Sequence, residues 1–509
     1  MASETIVLPA NENQARGLAQ YAIDFLAGQF GPVDVSTLKQ VELFHLDSVA
    51  CGVSALALGA NAPSVLREEA LEYAVANSQA GGTCFGSSKR VRPEKAVLAN
   101  SSAVREWDSN GTNFGYNPAR GHTKGEFGHN DFYPVAVAAA QQRGLNGQQT
   151  LLGMLLIDEI RGRLAEVFSL KTYKIDHVVH GAIASAATYG AMLGASVDQI
   201  ESAIGLVLAH YIPFRAIRAG HQLSDSKGAS AAISAEMAVL SVHRAMRGFV
   251  GPADIVRNPE AIFCLFGRPN QTGESPFELA LSGSGSDFTV NGMHFKLGLY
   301  EHQSAGAIQG LIDLLNRHPD IVQDEAAIEN IRITIYEPAF GIIGDPAKRD
   351  PHTRQSADHS MVYIIATLLR NAIESRQTRW EQLMLLPADY DDAALFNPLT
   401  RRLMEKIDFR HGGTEYDSLY PDGIPTKLEM EHTRLGKLDS GLIMYPEGHA
   451  RNTSGNLQRL LDYKFEALVG SAVDSPTELR ARFTDLHLKT AAEIASLYDF
   501  RINGVDGAS

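Results

Sequence analysis

Two stretches of small residues constrain this chain more than anything else in it. HVVHGAIASAATYGAMLGAS (177–196) and SDSKGASAAISAEMAVLSVHRAM (224–246) are dense in Ala, Gly and Ser at helical spacing. Small side chains let helix backbones approach closely, because the side chains at the contact set the distance between packed helices. Both stretches therefore read as central helices of a tightly packed helical body. Leu38, Val41, Phe44 and Val49 fall near helical spacing after Ser36, a residue suited to the N-cap. Further helices are expected over about 134–142 and 149–168.

The grammar changes near residue 282. SGSGSD (282–287) is polar and glycine-rich and marks a boundary. FTVNGMHFKL (288–297) reads as β-like. NIRITIYE (330–337) places Ile331, Ile333 and Ile335 on one face, and TKLEMEH (426–432) does the same with Leu428 and Met430. Helical patterns lie between them at 303–318 and 357–375, and helix returns after about 445. The expected architecture is mainly α with an inserted α+β domain. A helical domain would come from residues 1–281 and 441–509, with a smaller α+β unit over 282–440. A chain of 509 residues is long enough for both.

The formal net charge is −14, with no basic run of the kind a nucleic-acid surface needs. A polyanionic ligand would require a local cluster of Lys, Arg and His against that overall sign. No apolar run reaches membrane-spanning length. Cys51, Cys84 and Cys264 are too few and too irregular for a disulfide framework or a cysteine zinc site. The first residues lack the basic and apolar regions of a secretory signal, so a cytoplasmic location is expected.

Five segments carry titratable groups in unusual density. The first, 100–134, is a long polar loop between helical patterns, with Trp107, Phe114, Tyr116, Phe127, Phe132 and Tyr133 to anchor it. Such loops are functional or poorly ordered. An ordinary surface loop with solvated charges fits these residues equally well. In KTYKIDHVVH (171–180), His177 stands at a helix start suited to anions, although Asp176 acting as a plain cap explains the same residues. In 213–231, Arg215, Arg218, His221 and Lys227 crowd together. Burial there would ready Lys227 for proton transfer, and a solvated helix start is the competing reading. The segments 293–306 (Lys296, Tyr300, His302) and 350–363 (Arg354, Asp358, His359) also suit capped helix starts. Phosphate loops, dinucleotide fingerprints, nucleophile elbows and zinc-protease motifs are absent. His122 and His129 match no standard metal-ligand spacing, so neither a metal nor a cofactor is expected.

In order, REWDSNGT, GHNDFYPVAVAAA, KIDHV, DSKGASAA, KLGLYEHQSAGAI, RDPHTRQSADHSMVYI and YPEGHARN…YKFEALVG make the chain resemble the MmgE/PrpD family over roughly residues 15–500. The resemblance implies a large helical domain with an α+β lid, a homodimer and metal-free chemistry on a small tricarboxylate. It implies a dehydratase of 2-methylcitrate or a longer alkylcitrate. cis-Aconitate decarboxylation and dicarboxylate epimerisation are the alternatives within the family. Asp108 and Thr112 match its DxxxT motif, and His129 the histidine of its GHPS-type motif. His177 and Lys227 match its later histidine and lysine, Lys296 and His302 its lid segment, and Tyr336 a looser position. Asn130 and Asp131 replace the usual Pro-Ser, and the loop from Asp108 to His129 is longer, carrying Phe114 and Tyr116. That loop is expected to make room for an alkyl group larger than methyl. In the implied reaction His129 and Asp108 form the acid–base pair, while Lys227, Lys296 and His177 stabilise developing charge on a carboxylate.

Overall fold

The structure is a computed structural model, described here for residues 4–76, 81–218, 222–269, 271, 273–342 and 348–505. His221 lies outside them. Among the described residues the N-terminal half is built from nine α-helices: α1 (Gln14–Leu26), α2 (Val35–Ala57), α3 (Asn61–Glu72), α4 (Pro93–Arg105), α5 (Tyr133–Arg143), α6 (Gly147–Val167), α7 (Val178–Leu193), α8 (Val197–His210) and α9 (Ser226–Met246). The two small-residue stretches form α7 and α9, which pack on each other, α7 almost wholly buried and α9 buried over most of its length. The close approach is required at Gly181, where an added Cβ would stand 2.0 Å from the ring of Phe132. Among the described residues no single helix is long and apolar enough to cross a membrane.

Local signals set the helix ends. Asn146 with Gln149 and Ser196 with Gln199 form capping boxes before α6 and α8. Gly144 and Gly194 close α5 and α7 in the left-handed conformation that glycine adopts without penalty. Ser36 is not a cap. It lies inside α2, whose first residue is Val35.

Beyond residue 300 a four-stranded sheet runs in the order Gly436–Asp439, Thr426–His432, Ile328–Ile335, Ile407–His411, with only the last pair parallel. Ile331, Ile333, Ile335, Leu428 and Met430 are all buried, as their alternation implies. The helix Ala305–Arg317 packs on this sheet and on the helix Met361–Ser375. The last helices return to the N-terminal body. Leu457–Val469 and Pro476–Phe483 lie on α2, and Ala491–Ala495 lies on α5.

SGSGSD (282–287) begins in packed structure: Leu279–Ser282 is a strand paired with Thr5–Leu8, and residues 282–285 are buried. One expectation fails just beyond it. The segment 288–297 is not a strand. Thr289–Gly292 is a short 3-10 turn, and only His294 bridges to another strand, at Thr112. Its alternating apolar residues are buried by the helical body instead of by sheet partners. Glu159 on α6 holds both places, accepting from the backbone N–H groups of Ser282 (2.8 Å) and Thr289 (2.9 Å).

Candidate active site

The site begins where α4 stops. Asp108 takes a left-handed backbone conformation, φ 49°, which Asp tolerates better than most residues. The turn sends its carboxylate back toward the Arg105 guanidinium, which donates to Oδ1. Thr112 then pairs with His129 in a two-residue antiparallel ladder, closing the ends of the unusual loop. Thr112 also exchanges two backbone hydrogen bonds with His294, of 3.0 and 2.7 Å. That bridge brings the segment carrying Lys296, Glu301 and His302 against Asp108.

Four cationic or imidazole groups converge on the Asp108 carboxylate. Lys296 donates to its backbone oxygen at 2.8 Å and pairs with Oδ1. Lys227 lies 3.7 Å and His359 3.3 Å from Oδ2, and Arg105 completes the set. Burial alone would raise the pKa of Asp108, but Arg105, Lys296, Lys227 and His359 together hold it well below the carboxylate range. Burial lowers Lys227 and Lys296 in turn, against the pull of the aspartates. Lys227 also pairs with Asp358 at 2.5 Å, so its partner comes from far along the chain.

A narrow cavity of about 30 Å³ opens on this cluster. Asp108, Thr112, His129 and His302 line it, together with Arg105, Arg215, Arg218, Lys348, Glu301 and His359. Phe114, Phe127 and Ile342 supply an apolar part of the wall. Lys227, Lys296, His177 and Tyr336 stand behind the wall. His177 is the N-cap of α7, its ring 5.6 Å from that of His129. Tyr336 stacks on Tyr420 at 4.7 Å, and its buried hydroxyl has no hydrogen-bond partner. Nδ1 of His129 and both ring nitrogens of His302 are likewise buried without hydrogen-bond partners, and Nδ1 of His177 lies 3.5 Å from Asp176 Oδ1. Burial keeps all three imidazoles well below their usual pKa and hence neutral.

The sequence places Arg354, Asp358 and His359 in a titratable segment that also suits a helix start, and its motifs give no role to Arg105 and Glu301. The helix start is real, capped by Thr353. Yet Asp358 and His359 follow it directly and face Asp108. The available signal was charge. Arg105 sits in the last turn of a helix whose other residues there are small and apolar.

Asp108, Asp358 and His359 bring their donor atoms within 4.8 Å of one another. The donor set does not fit a metal ion. Both carboxylates are already paired with ammonium or guanidinium groups of Arg105, Lys227, Lys296 and Arg354, and a further cation would meet that positive charge. His122 and His129 share no site, since His122 pairs with Glu166 at 3.2 Å.

A larger cavity of about 280 Å³ lies beyond Phe114, which lines both. Its charges are spent on one another: Arg163 on Glu166 and Asp287, and Arg451 on Asp422. Tyr116 lines this second cavity, under Arg451, and not the first. Of Phe114 and Tyr116, only Phe114 lines the candidate site, where Phe127 of the same loop joins it.

Comparison with known proteins settles the family. The model of the MmgE/PrpD N-terminal domain matches residues 16–274 and that of the C-terminal domain residues 300–490. The chain belongs to the MmgE/PrpD family. It is 24% identical to the 2-methylcitrate dehydratase of Salmonella typhimurium, over 88% of each chain. It is 23% identical to alkylcitrate dehydratase phiI of Fungal sp. (strain ATCC 74256), over 85% of this chain and 84% of that one. It is 22% identical to the cis-aconitate decarboxylase-like protein oryM of Aspergillus oryzae, over 92% of each. The first two are named as dehydratases, which are carbon–oxygen lyases.

Proposed function

We propose that this MmgE/PrpD protein is a dehydratase that converts 2-methylcitrate or a longer 2-alkylcitrate into the corresponding alkyl-cis-aconitate. The observation that carries the reading is the cavity itself. In a chain of net charge −14, its wall gathers Arg105, Arg215, Arg218 and Lys348, with Lys227 and Lys296 directly behind. Such a wall suits a tricarboxylate. Phe114, Phe127 and Ile342 offer the apolar ground an alkyl substituent needs.

The reaction removes a proton from the carbon bearing the alkyl group and hydroxide from its neighbour. His129 is proposed as the base. It lines the cavity, is neutral, and keeps Nδ1 free. Asp108 is too firmly ionised to give up a proton. Its role is to fix Lys227, Lys296 and Arg105 where negative charge develops on the carboxylate next to the breaking C–H bond. His177 orients His129 from behind. Thr112, Lys296, His302 and Tyr336 complete the binding shell. The chemistry uses no metal. In the same reading residues 1–281 and 441–509 form the body, residues 282–440 a lid, and the enzyme works as a cytoplasmic homodimer.

Decarboxylation of cis-aconitate would use a similar cavity, and the likeness to oryM supports it as the second reading. Mass spectrometry of the product distinguishes the two. Loss of water from 2-methylcitrate is the expected outcome, and itaconate from cis-aconitate with no dehydration replaces the first reading with the second.

A further inference from the structure

We propose that Glu301 is the acid that delivers a proton to the departing hydroxyl while His129 acts as the base. The inference rests on the dehydratase reading. It assigns a catalytic residue inside KLGLYEHQSAGAI, the motif that carries Lys296 and His302, at a position to which the resemblance attached no role.

Elimination needs a proton donor as well as a base, and the cavity wall holds two carboxyl groups, Asp108 and Glu301. Asp108 is closed to proton traffic by the cations around it. Glu301 makes no ion pair among the described residues. Its main chain is pinned on both sides: its N–H donates to the Asp358 carbonyl at 2.8 Å, and its carbonyl accepts from Ser304 N–H at 3.0 Å. One side-chain oxygen, Oε2, accepts the Gln303 N–H at 2.9 Å. That contact fixes the carboxyl and leaves Oε1 for a ligand.

The groups facing it come from several segments. Lys296 and His302 belong to its own segment, Asp108 to the turn after α4, Lys348 to the segment before Arg354, and Tyr336 and Tyr420 to the sheet side. Burial, helped by Asp108, raises the carboxyl to about 7 against the pull of Lys296 and Lys348. A carboxyl balanced near neutrality exists in both protonation states at working pH, as a proton donor must.

The step balances. His129 takes the proton from carbon, and the C–H electron pair becomes the second bond of the alkene. The C–O bond breaks, and the Glu301 proton joins the leaving oxygen to form water. His129 returns its proton to solvent and Glu301 regains one, so the net change is substrate to product plus water.

The test compares wild type, Glu301→Gln and Glu301→Asp. Turnover of 2-methylcitrate is followed against pH, citrate binding by calorimetry, and protonated carboxyl by difference infrared titration. Glu301→Gln is expected to lose roughly 10²–10⁴-fold in kcat, with citrate affinity changed by less than roughly threefold. The wild-type kcat should fall as pH rises through about 7. That fall should vanish from the residual rate of the Gln variant, and Asp should restore part of the rate. A Gln variant with kcat near wild type, or one that keeps the alkaline fall, overturns the assignment. If the wild type instead decarboxylates cis-aconitate, the dehydratase reading fails by itself. The variant ratio is then read on that reaction, and an unchanged rate overturns Glu301 there too. The infrared titration needs no turnover. A carboxyl signal titrating near pH 7 in wild type and missing from the Gln variant supports the proposal, and its absence from wild type overturns it.

Discussion

His359 Nε2 lies 3.3 Å from Asp108 Oδ2, so a residue that follows a short helix in the C-terminal half completes the charge cluster begun at the end of α4. The cluster is an arrangement of mutual need. Asp108 is buried only because Arg105, Lys227 and Lys296 surround it, and those cations are tolerated only because Asp108 is there.

Asp108→Asn should therefore damage both fold and function. Removing one partner from a buried charge cluster costs about 3–5 kcal/mol, read as a lower urea midpoint with unchanged slope. Citrate, which brings carboxylates of its own, should stabilise this variant more than it stabilises wild type. Equal stabilisation of both would show that the cavity does not take polyanions against this cluster.

His129→Ala is expected to leave a folded protein with kcat reduced by roughly 10²–10⁴-fold. Circular dichroism checks the fold and single-turnover kinetics the loss. Near-normal turnover by the purified variant would remove His129 from the mechanism.

Lys464 acts at a distance from the substrate. From the helix Leu457–Val469 its ammonium reaches Asp47 of α2 at 2.7 Å, the carbonyl of Ser109 at 2.6 Å and that of Lys296 at 2.8 Å. It staples the two segments that build the site. Lys464→Met should cost about 3–5 kcal/mol by leaving Asp47 buried and unpaired. It should also weaken substrate binding, read as a raised KM.

Acid should unfold the protein early. Burial lowers His45, His180 and His359 to about 3 and His449 to about 4, and it holds His129, His177, His294 and His302 well below their usual value. The unfolded chain binds protons at these groups near pH 6.5, whereas the folded chain does not. Their contribution to stability is complete above that pH and is lost as pH falls toward about 4, by about 1.4 kcal/mol per pH unit for each histidine. Glu301, raised to about 7, works in the opposite sense, as do the carboxyls of Asp47, Glu106, Glu126, Asp131, Asp158 and Asp389, which burial also raises. Thermal midpoints from pH 8 to 4.5 should drop steeply below about 6.5. A flat profile would show that these histidines are protonated in the folded state.

Ile342 should help set the alkyl preference. Ile342→Phe fills the apolar part of the cavity and should lower kcat/KM for a longer alkylcitrate by roughly 10–200-fold relative to 2-methylcitrate. Equal losses on both substrates would place the alkyl group elsewhere.

Much of the helical body was legible because periodicity and small-residue density act locally. Gly181 illustrates this: its place in an Ala/Gly run marks the close contact that its lack of a side chain permits. Asp108, Thr112, His129 and His302 were reachable through motif order. Glu301 and His359 lie inside the same ordered motifs, but their roles were not legible, because these depend on which charges lie across the cavity, and sequence spacing carries no record of that. The expected strand at 288–297 failed for a related reason. Alternating apolar residues need a buried face, and helices provided one as well as a sheet would have.

The most direct test uses purified, chelator-treated wild-type protein with 2-methylcitrate and a longer alkylcitrate in separate reactions, following the ultraviolet absorbance of the new conjugated double bond. The account predicts that absorbance grows with at least one substrate and that added divalent metal does not raise the rate. No growth with either substrate, with itaconate and CO₂ formed from cis-aconitate, would contradict it.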